Sequence, residues 1–464
     1  MSRLAGVCRA RHRTFQHPLF LSVPAWRHAV PMPRLSYCIF AFGLAPAVVL
    51  AGPAELIAPP DPGHQHPFDV VGSGTPLSIE DAVQLALTDQ PILRSREAAI
   101  DAEEQLAVSA AQLPDPKIMA GLKDLPVDRG EAFSVRDDNF TTFSVGLSQD
   151  FPRGDKRRLK GERKRLEAAT DRIGLDNDRR TVSREAGLAW LDVYESEQAL
   201  NLTQQLASES ALQVQALESG YRSGRAAQAD WLAAKVEAEL VQDKEQDWQH
   251  HVERLRAALS RWIGDAAHRP LATDLSSLPP PTDFSQLAAE VDRHPIVVGL
   301  QKQVETSETD VKLARQAYKS DFSVEGYFGY RPAYADFVGV QVTMDLPLFT
   351  AKRQDRDLAA ALRQSDAVQD RKADALRELH AQATEDYIDW HHASERVANF
   401  DRDIIPEAQR RVAAAQGAYA AGRGSLDAVL MARRSLLDTQ LQRLALAVDA
   451  ARAQVRLQYF TSGN

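Results

Sequence analysis

The sequence predicts a mainly α-helical chain with a minor component of paired β-strands, laid out as an internal twofold repeat. Three observations predict this. Aromatic residues are only 7% of the 464, and long Ala/Leu-rich, charge-dotted segments with helical periodicity dominate, as in solvated helices rather than a thick globular core. Four short runs alternate apolar with small or polar residues, the period-two signature of strands. A five-residue turn occurs twice, Tyr221-Arg-Ser-Gly224-Arg225 and Tyr419-Ala-Ala-Gly422-Arg423, and each copy sits between two long helical patterns. Glycine takes the left-handed conformation cheaply, so each turn reads as the stop and restart of a helical hairpin.

Residues 1–51 stand apart from this plan. From Met32 the chain reads as a secretory signal: Arg34, an apolar run from Tyr37 to Leu50, and Val49-Leu-Ala51 as a small-residue cleavage site. The stretch before Met32 is basic and unpatterned, so Met32 is the expected start and Met1 the mark of an over-extended reading frame. Both cysteines, Cys8 and Cys38, fall in this part, which leaves the mature chain without disulfides or thiol chemistry. Leu35-Ser-Tyr-Cys38 has the outline of a lipidation box, but its cysteine precedes the apolar run instead of following it. A formal charge of −9 disfavours nucleic acid as a partner. After residue 51, no apolar run approaches the ~20 residues a membrane-spanning helix needs.

Residues 52–75, rich in Pro, Gly and His, form an extended leader. The first repeat occupies 76–264. Ser78-Ile-Glu-Asp81 starts a helix expected to run to about Leu113, where Pro114 and Pro116 stop it. Strands follow around Ile118–Leu122 and Phe143–Ser148, separated by a polar loop. Pro152 ends the second strand, and a very long helix runs from near Asp155 to the tip at Gly224. The return helix, from about Ala227 to Ile263, carries Trp248, Val252, Leu255, Leu259 and Trp262 as a coiled-coil seam. A linker occupies 265–284, and residues 285–462 repeat the programme. A helix from about Ser285 to Tyr318 leads to strands at Phe322–Tyr330 and Val338–Met344, joined by the short loop Arg331 to Asp336. Pro347 matches Pro152, and the second long helix reaches the tip at Gly422, with Pro406 expected to kink or break it. The last helix has Leu437, Leu441, Leu444, Val448, Ala451 and Val455 as its seam.

Strands of about nine to eleven residues are long enough to cross a bilayer when tilted. Four of them cannot close a membrane barrel, and open edges in lipid leave backbone groups unsatisfied at several kcal/mol each. If the strands span a membrane, several chains must pool them: two chains supply eight strands and three supply twelve.

Catalytic chemistry has no foothold. The glycine-containing stretches lack the Gly-Lys-Ser/Thr of a phosphate loop, and His-Glu-x-x-His is absent. His250-His251 and His391-His392 are helix neighbours that point to different faces. His391 with Glu395, or Asp389 with His392, has usable spacing but reads as a solvated helix face, as do Asp386 and Asp389. His64-Gln-His66 in the leader has only weak capacity for a transition metal. The expectation is a non-enzyme with no catalytic residue, no cofactor and no resident metal.

The signal peptide, the doubled plan, Leu113-Pro-Asp-Pro116 before the first strand, the strand-to-helix prolines Pro152 and Pro347, and the Tyr-x-x-Gly-Arg tips together resemble the TolC-like outer-membrane factors. The resemblance covers Pro76 to Ser462, and Gly154-Asp-Lys-Arg157 is most similar to the heavy-metal, CzcC-like branch. It implies a homotrimer in the cell outer membrane with a twelve-stranded β-barrel, and a periplasmic tunnel formed as a long α-helical coiled-coil barrel. It also implies a periplasmic adaptor (membrane fusion) protein at the tips, an inner-membrane pump of the resistance-nodulation-division class, and outer-membrane lipid around the barrel. In this family the tips are the closed entrance. A carboxylate six residues after the tip glycine takes part there and Asp230 matches it, whereas the second repeat has Ala428 at that position and Asp427 one residue early. Tyr419 matches a gating tyrosine, while the basic residue expected two positions after Gly422 is Gly424. Tyr221, Gly224, Arg225, Asp230, Tyr419, Gly422, Arg423 and Asp427 are therefore the candidate docking and gating residues, with Arg225 and Arg423 as candidate adaptor contacts. The implied function is an outer-membrane channel of a tripartite efflux system for heavy-metal cations. A periplasmic adaptor, which has one hairpin beside a lipoyl-like β-domain, and a secreted coiled coil are the competing readings.

Overall fold

The computed structural model describes residues 75–461 except 89, 129, 131, 276 and 277. The described residues belong to one compact unit, Gln65–Asn464. The signal segment, Met32, both cysteines and the His64-Gln-His66 leader lie outside the described residues.

The element order repeats once. Helices α1 (Ile79–Thr88) and α2 (Pro91–Ala110) precede strands β1 (Lys117–Lys123) and β2 (Thr142–Phe151). The hairpin α3 (Lys156–Arg222) and α4 (Gln228–Ile263) follows. In the second repeat α5 (Phe284–Val291) and α6 (Pro295–Gln316) precede β3 (Phe322–Tyr330) and β4 (Phe337–Met344). An outgoing helix and a return helix α9 (Leu426–Phe460) complete it. At 1.5 Å per residue, the 67 residues of α3 span roughly 100 Å.

The leading helix of each repeat is split, where a single helix was expected. Gln90 and His294 are extended, with ψ of 121° and 141°, because the ring of the following proline disfavours the α region. Pro91 and Pro295 then open the second helix, where a missing N–H costs nothing. Pro406 has the opposite outcome. It neither stops nor breaks the outgoing helix: α7 (Gln354–Asn399) passes through five π-helical residues, Phe400–Ile404, into α8 (Ile405–Ala420). The wider turn just before Pro406 absorbs the lost hydrogen bond. Arg443 of α9 clamps it, its Nε and Nη2 donating to the Asp401 carboxylate at 2.9 and 2.8 Å.

The four strands form one antiparallel sheet in the order β1-β2-β3-β4. The two repeats are joined through β2 and β3, where Phe143 pairs with Tyr330 and Phe151 with Phe322. The strands run 7, 10, 9 and 8 residues, so two fall short of the expected length.

The main core lies where the repeats meet. Trp190 is fully buried and stacks on Tyr194 at 5.4 Å, and its Nε1 donates to the Leu77 carbonyl at 3.1 Å. The linker is not featureless: Gly264–His268 is a 3-10 turn, and Leu271 bridges to Leu77. Both coiled-coil seams reach this core, Trp248, Leu255 and Leu259 from α4 and Leu444, Val448, Ala451 and Val455 from α9. Three ion pairs tie the surrounding layer, Arg256–Glu197, Arg452–Glu195 and Arg456–Asp386. Asp386 is thus a paired, half-buried group and not plain helix surface; burial pushes its carboxyl up. His391 and Glu395 do form an exposed surface pair at 3.7 Å.

Candidate functional site: the helical tips and the sheet

Each tip is closed by the same pair of backbone hydrogen bonds. The Arg225 N–H donates to the Gly220 carbonyl at 2.8 Å and the Gly224 N–H to the Tyr221 carbonyl at 2.9 Å. In the second tip the Arg423 N–H donates to Ala418 at 2.9 Å and the Gly422 N–H to Tyr419 at 2.9 Å. These are Schellman closures, and they need a left-handed residue after the helix. Gly224 and Gly422 supply it, with φ of +71° and +68°. The arginine backbones therefore satisfy the last carbonyls. Both arginine side chains are exposed; that of Arg225 donates from Nε to the Ser223 hydroxyl at 3.0 Å.

A second regularity crosses each turn. In the first tip Gly220 faces Ala226, and a Cβ on Gly220 would stand 3.0 Å from the Ala226 methyl. In the second, the sizes are exchanged: Ala418 faces Gly424, whose Cβ would stand 3.1 Å from the Ala418 methyl. Each turn accommodates one methyl, so Gly424 occupies its position for want of space.

The return helices start with a carboxylate in the first turn, Asp230 in α4 and Asp427 in α9, where the helix dipole favours negative charge. Ser425 caps α9, its hydroxyl accepting from the Ala428 N–H at 3.3 Å. Tyr221 stacks face to face on Trp231, with ring centroids 5.7 Å apart. An apolar cluster of Leu217, Ala234 and Leu426, with Val214, Trp231, Tyr419 and Leu430 against it, packs the two hairpins together near their ends.

The structure unites two candidate residues from different tips. Burial first, then the negative charge of the Asp230 carboxylate, hold the Tyr419 phenol pKa above its ordinary value. Asp427 is exposed and outside this contact. Further from the ends, Arg433 of α9 donates to Gln213 of α3 at 2.8 Å, and Lys244 of α4 pairs with Asp438 of α9 at 3.4 Å.

At the far end of the long helices the junction prolines adjoin the sheet. Pro114 and Pro116 are exposed ahead of β1, and the Pro114 carbonyl accepts from Gln149 Nε2 at 2.7 Å. Pro152 and Pro347 leave β2 and β4. After Pro152, Gly154 turns with φ +72°, and Lys156 holds Asp321 at 2.8 Å.

The sheet has two unlike faces. Ile118, Val145, Leu147, Phe328, Val338, Val340 and Val342 share one face, and its most exposed members, Val338 and Ile118, are about four-fifths open. Aromatic pairs bracket it, Phe143–Tyr330 at 6.5 Å and Phe151–Phe322 at 5.2 Å. The eight-residue step between those pairs measures roughly 26 Å at the rise of a strand, close to the ~25 Å apolar band of an outer-membrane barrel. The other face carries Lys117, Lys123, Ser144, Ser148, Asp150, Glu325 and Gln341. Among the described residues no helix is long and apolar enough to cross a membrane, and no cluster of three metal-ligating side chains occurs.

Residues 291–462 match the outer membrane efflux protein family. The fold is that of solved outer-membrane efflux channels. A membrane protein from Pseudomonas aeruginosa aligns with TM-score 0.71 and 16% identity, covering 83% of this chain and 90% of its own. The channel CusC aligns with TM-score 0.71 at 14% identity over 83% and 92%. The Campylobacter jejuni CmeC channel aligns with TM-score 0.69 at 12% identity over 82% and 85%. A sequence search of curated proteins found no match.

The second repeat thus matches the outer membrane efflux protein family, and the chain as a whole has the fold of those channels.

Proposed function

We propose that three copies of the chain pool their sheets into a twelve-stranded barrel and their hairpins into a tunnel, forming the outer channel of a tripartite efflux system. The observation that carries this is the sheet. It has an exposed apolar face about as tall as a membrane, a polar opposite face, and β1 and β4 as open edges that only another copy can satisfy in lipid. Such a channel performs no covalent chemistry. Its lining charges select, and a net charge of −9 suits the passage of cations. A periplasmic adaptor docks at the tips, with Arg225 and Arg423 as its contacts, and an inner-membrane resistance-nodulation-division pump delivers the cargo. The Asp230–Tyr419 contact belongs to the closed entrance, which opens as the two hairpins move apart under adaptor contacts made only in the open state.

The cargo is proposed to be heavy-metal cations, on the likeness of Gly154-Asp-Lys-Arg157 to that branch. A deletion strain is expected to become sensitive to one or more of zinc, cobalt, cadmium, copper and silver and to regain tolerance when the gene is restored. Unchanged tolerance to all five, with new sensitivity to organic drugs, reassigns the cargo.

A further inference from the structure

Two aromatic rings on the polar face of the sheet lie against glycines. The Tyr327 ring covers Gly339 across the β3–β4 pair, where a Cβ would meet the phenol oxygen at 2.6 Å. The Tyr327 Cβ lies 2.9 Å from the place a Cβ would take on Gly146, its β2 partner. Phe337 covers its own partner Gly329 in the same way, with a Cβ there 3.0 Å from Cδ1. The two rings meet edge to face at 6.0 Å. Each is also held by a cation: Lys123 Nζ stands 5.2 Å from the Tyr327 centroid, and the Arg331 guanidinium 4.4 Å from that of Phe337. A strand glycine that receives a neighbour's ring lets the ring lie along the wall instead of standing out from it. These contacts lie towards the loop end of the sheet, beyond Gln341 and Glu325 as seen from the helices.

We propose that Gly339 and Gly329, by accepting the rings of Tyr327 and Phe337, set the aperture of the channel near its outer mouth and with it the largest solute that passes. This rests on the barrel reading above, in which the polar face lines the lumen. Three chains place six such rings on two neighbouring rungs of the bore. A side chain at position 339 has no room under Tyr327, so that ring swings into the lumen; removal of Tyr327 widens the bore.

The test labels Gln341→Cys, one rung nearer the helices than Tyr327, with thiosulfonate reagents applied outside intact cells. This path from outside does not pass the helical tips. Small and bulky reagents are compared in the parent, in Gly339→Val, in Tyr327→Ala and in the double variant. The expected result is that Gly339→Val slows the bulky reagent roughly tenfold while sparing the small one, in the manner of a narrowed pore. Tyr327→Ala speeds the bulky reagent, and the double variant loses the block. Bulky-to-small rate ratios that stay at the parent value in both Tyr327→Ala and Gly339→Val overturn the aperture role and leave the channel standing. If Gly339→Val fails to assemble, Tyr327→Ala decides alone by the same ratio. Failure of even the small reagent to reach Gln341→Cys, while Val340→Cys on the opposite face reacts with it, overturns the lumen assignment and the proposal with it.

Discussion

The charge of Asp230, in the first turn of the first return helix, acts on the phenol of Tyr419, at the end of the second outgoing helix, and with burial raises its pKa. One contact thus joins the two hairpins of a chain at their ends, backed by the apolar cluster around Leu217 and Leu426. The sequence suggested two separate devices, a charge at the first tip and a tyrosine at the second. In the folded chain they are two halves of one.

The pair is therefore expected to be coupled. Tyr419→Phe and Asp230→Ala should each raise the passive conductance of channels in planar bilayers, and the double variant should add little to either alone. A coupling free energy of about 1 kcal/mol is expected from a double-mutant cycle on this partly exposed phenol–carboxylate pair. Asp427→Ala, at an exposed position, should change conductance less than Asp230→Ala.

The exchanged sizes across the turns make a second prediction. Gly220→Ala puts two methyls where one fits and should destabilise the first tip, whereas Gly220→Ala with Ala226→Gly restores the arrangement found in the second. Gly224→Ala and Gly422→Ala meet a different penalty, the left-handed backbone, of roughly 1–2 kcal/mol each. Limited proteolysis at the tips, read as cutting rate against parent, checks all four. The swap should behave like the parent and the two left-handed positions should not.

Arg225 and Arg423 keep exposed side chains because their backbones, not their guanidinium groups, close the helices. Replacing both with Ala should leave the closures and assembly intact and abolish efflux. Export at the parent rate removes them from adaptor docking.

His294 provides a pH prediction. It is fully buried at the break before α6, with Nδ1 accepting from the Ile296 N–H at 3.3 Å and Nε2 3.2 Å from the Tyr459 carbonyl. Burial first, then the nearby Arg180 charge, lower its pKa to about 4. The folded state thus favours the neutral ring. The stability it contributes is complete above the unfolded value of about 6.5 and is lost as pH falls from there through about 4, by about 3 kcal/mol per chain. Thermal melts of the parent should fall between pH 6.5 and 4 more steeply than those of His294→Gln.

Most of the fold was legible because its signals are local. The tip glycines, the period-two strands and the two seams each follow from spacing within one element, and the loop from Arg331 to Asp336 was placed without error. What escaped needed either a backbone detail or a distant partner. Gln90-Pro91 and His294-Pro295 do not stand out in the sequence as breaks, because the apolar period runs across them. The π-helical passage before Pro406 leaves no mark in residue type. The Asp230–Tyr419 contact joins residues nearly two hundred positions apart, and no spacing rule reaches that far. Gly424 stood out in the sequence only as a missing basic residue; its reason, the Ala418 methyl, is a matter of space that only coordinates disclose.

The central claim is that the open edges of one sheet are satisfied by other copies in the outer membrane. The most direct test is native mass spectrometry of the protein extracted in mild detergent from outer-membrane fractions. Three chains per particle, with bound lipid and collapse to single chains only on heating, is the predicted result. A single chain that is soluble without detergent and absent from the outer membrane contradicts it.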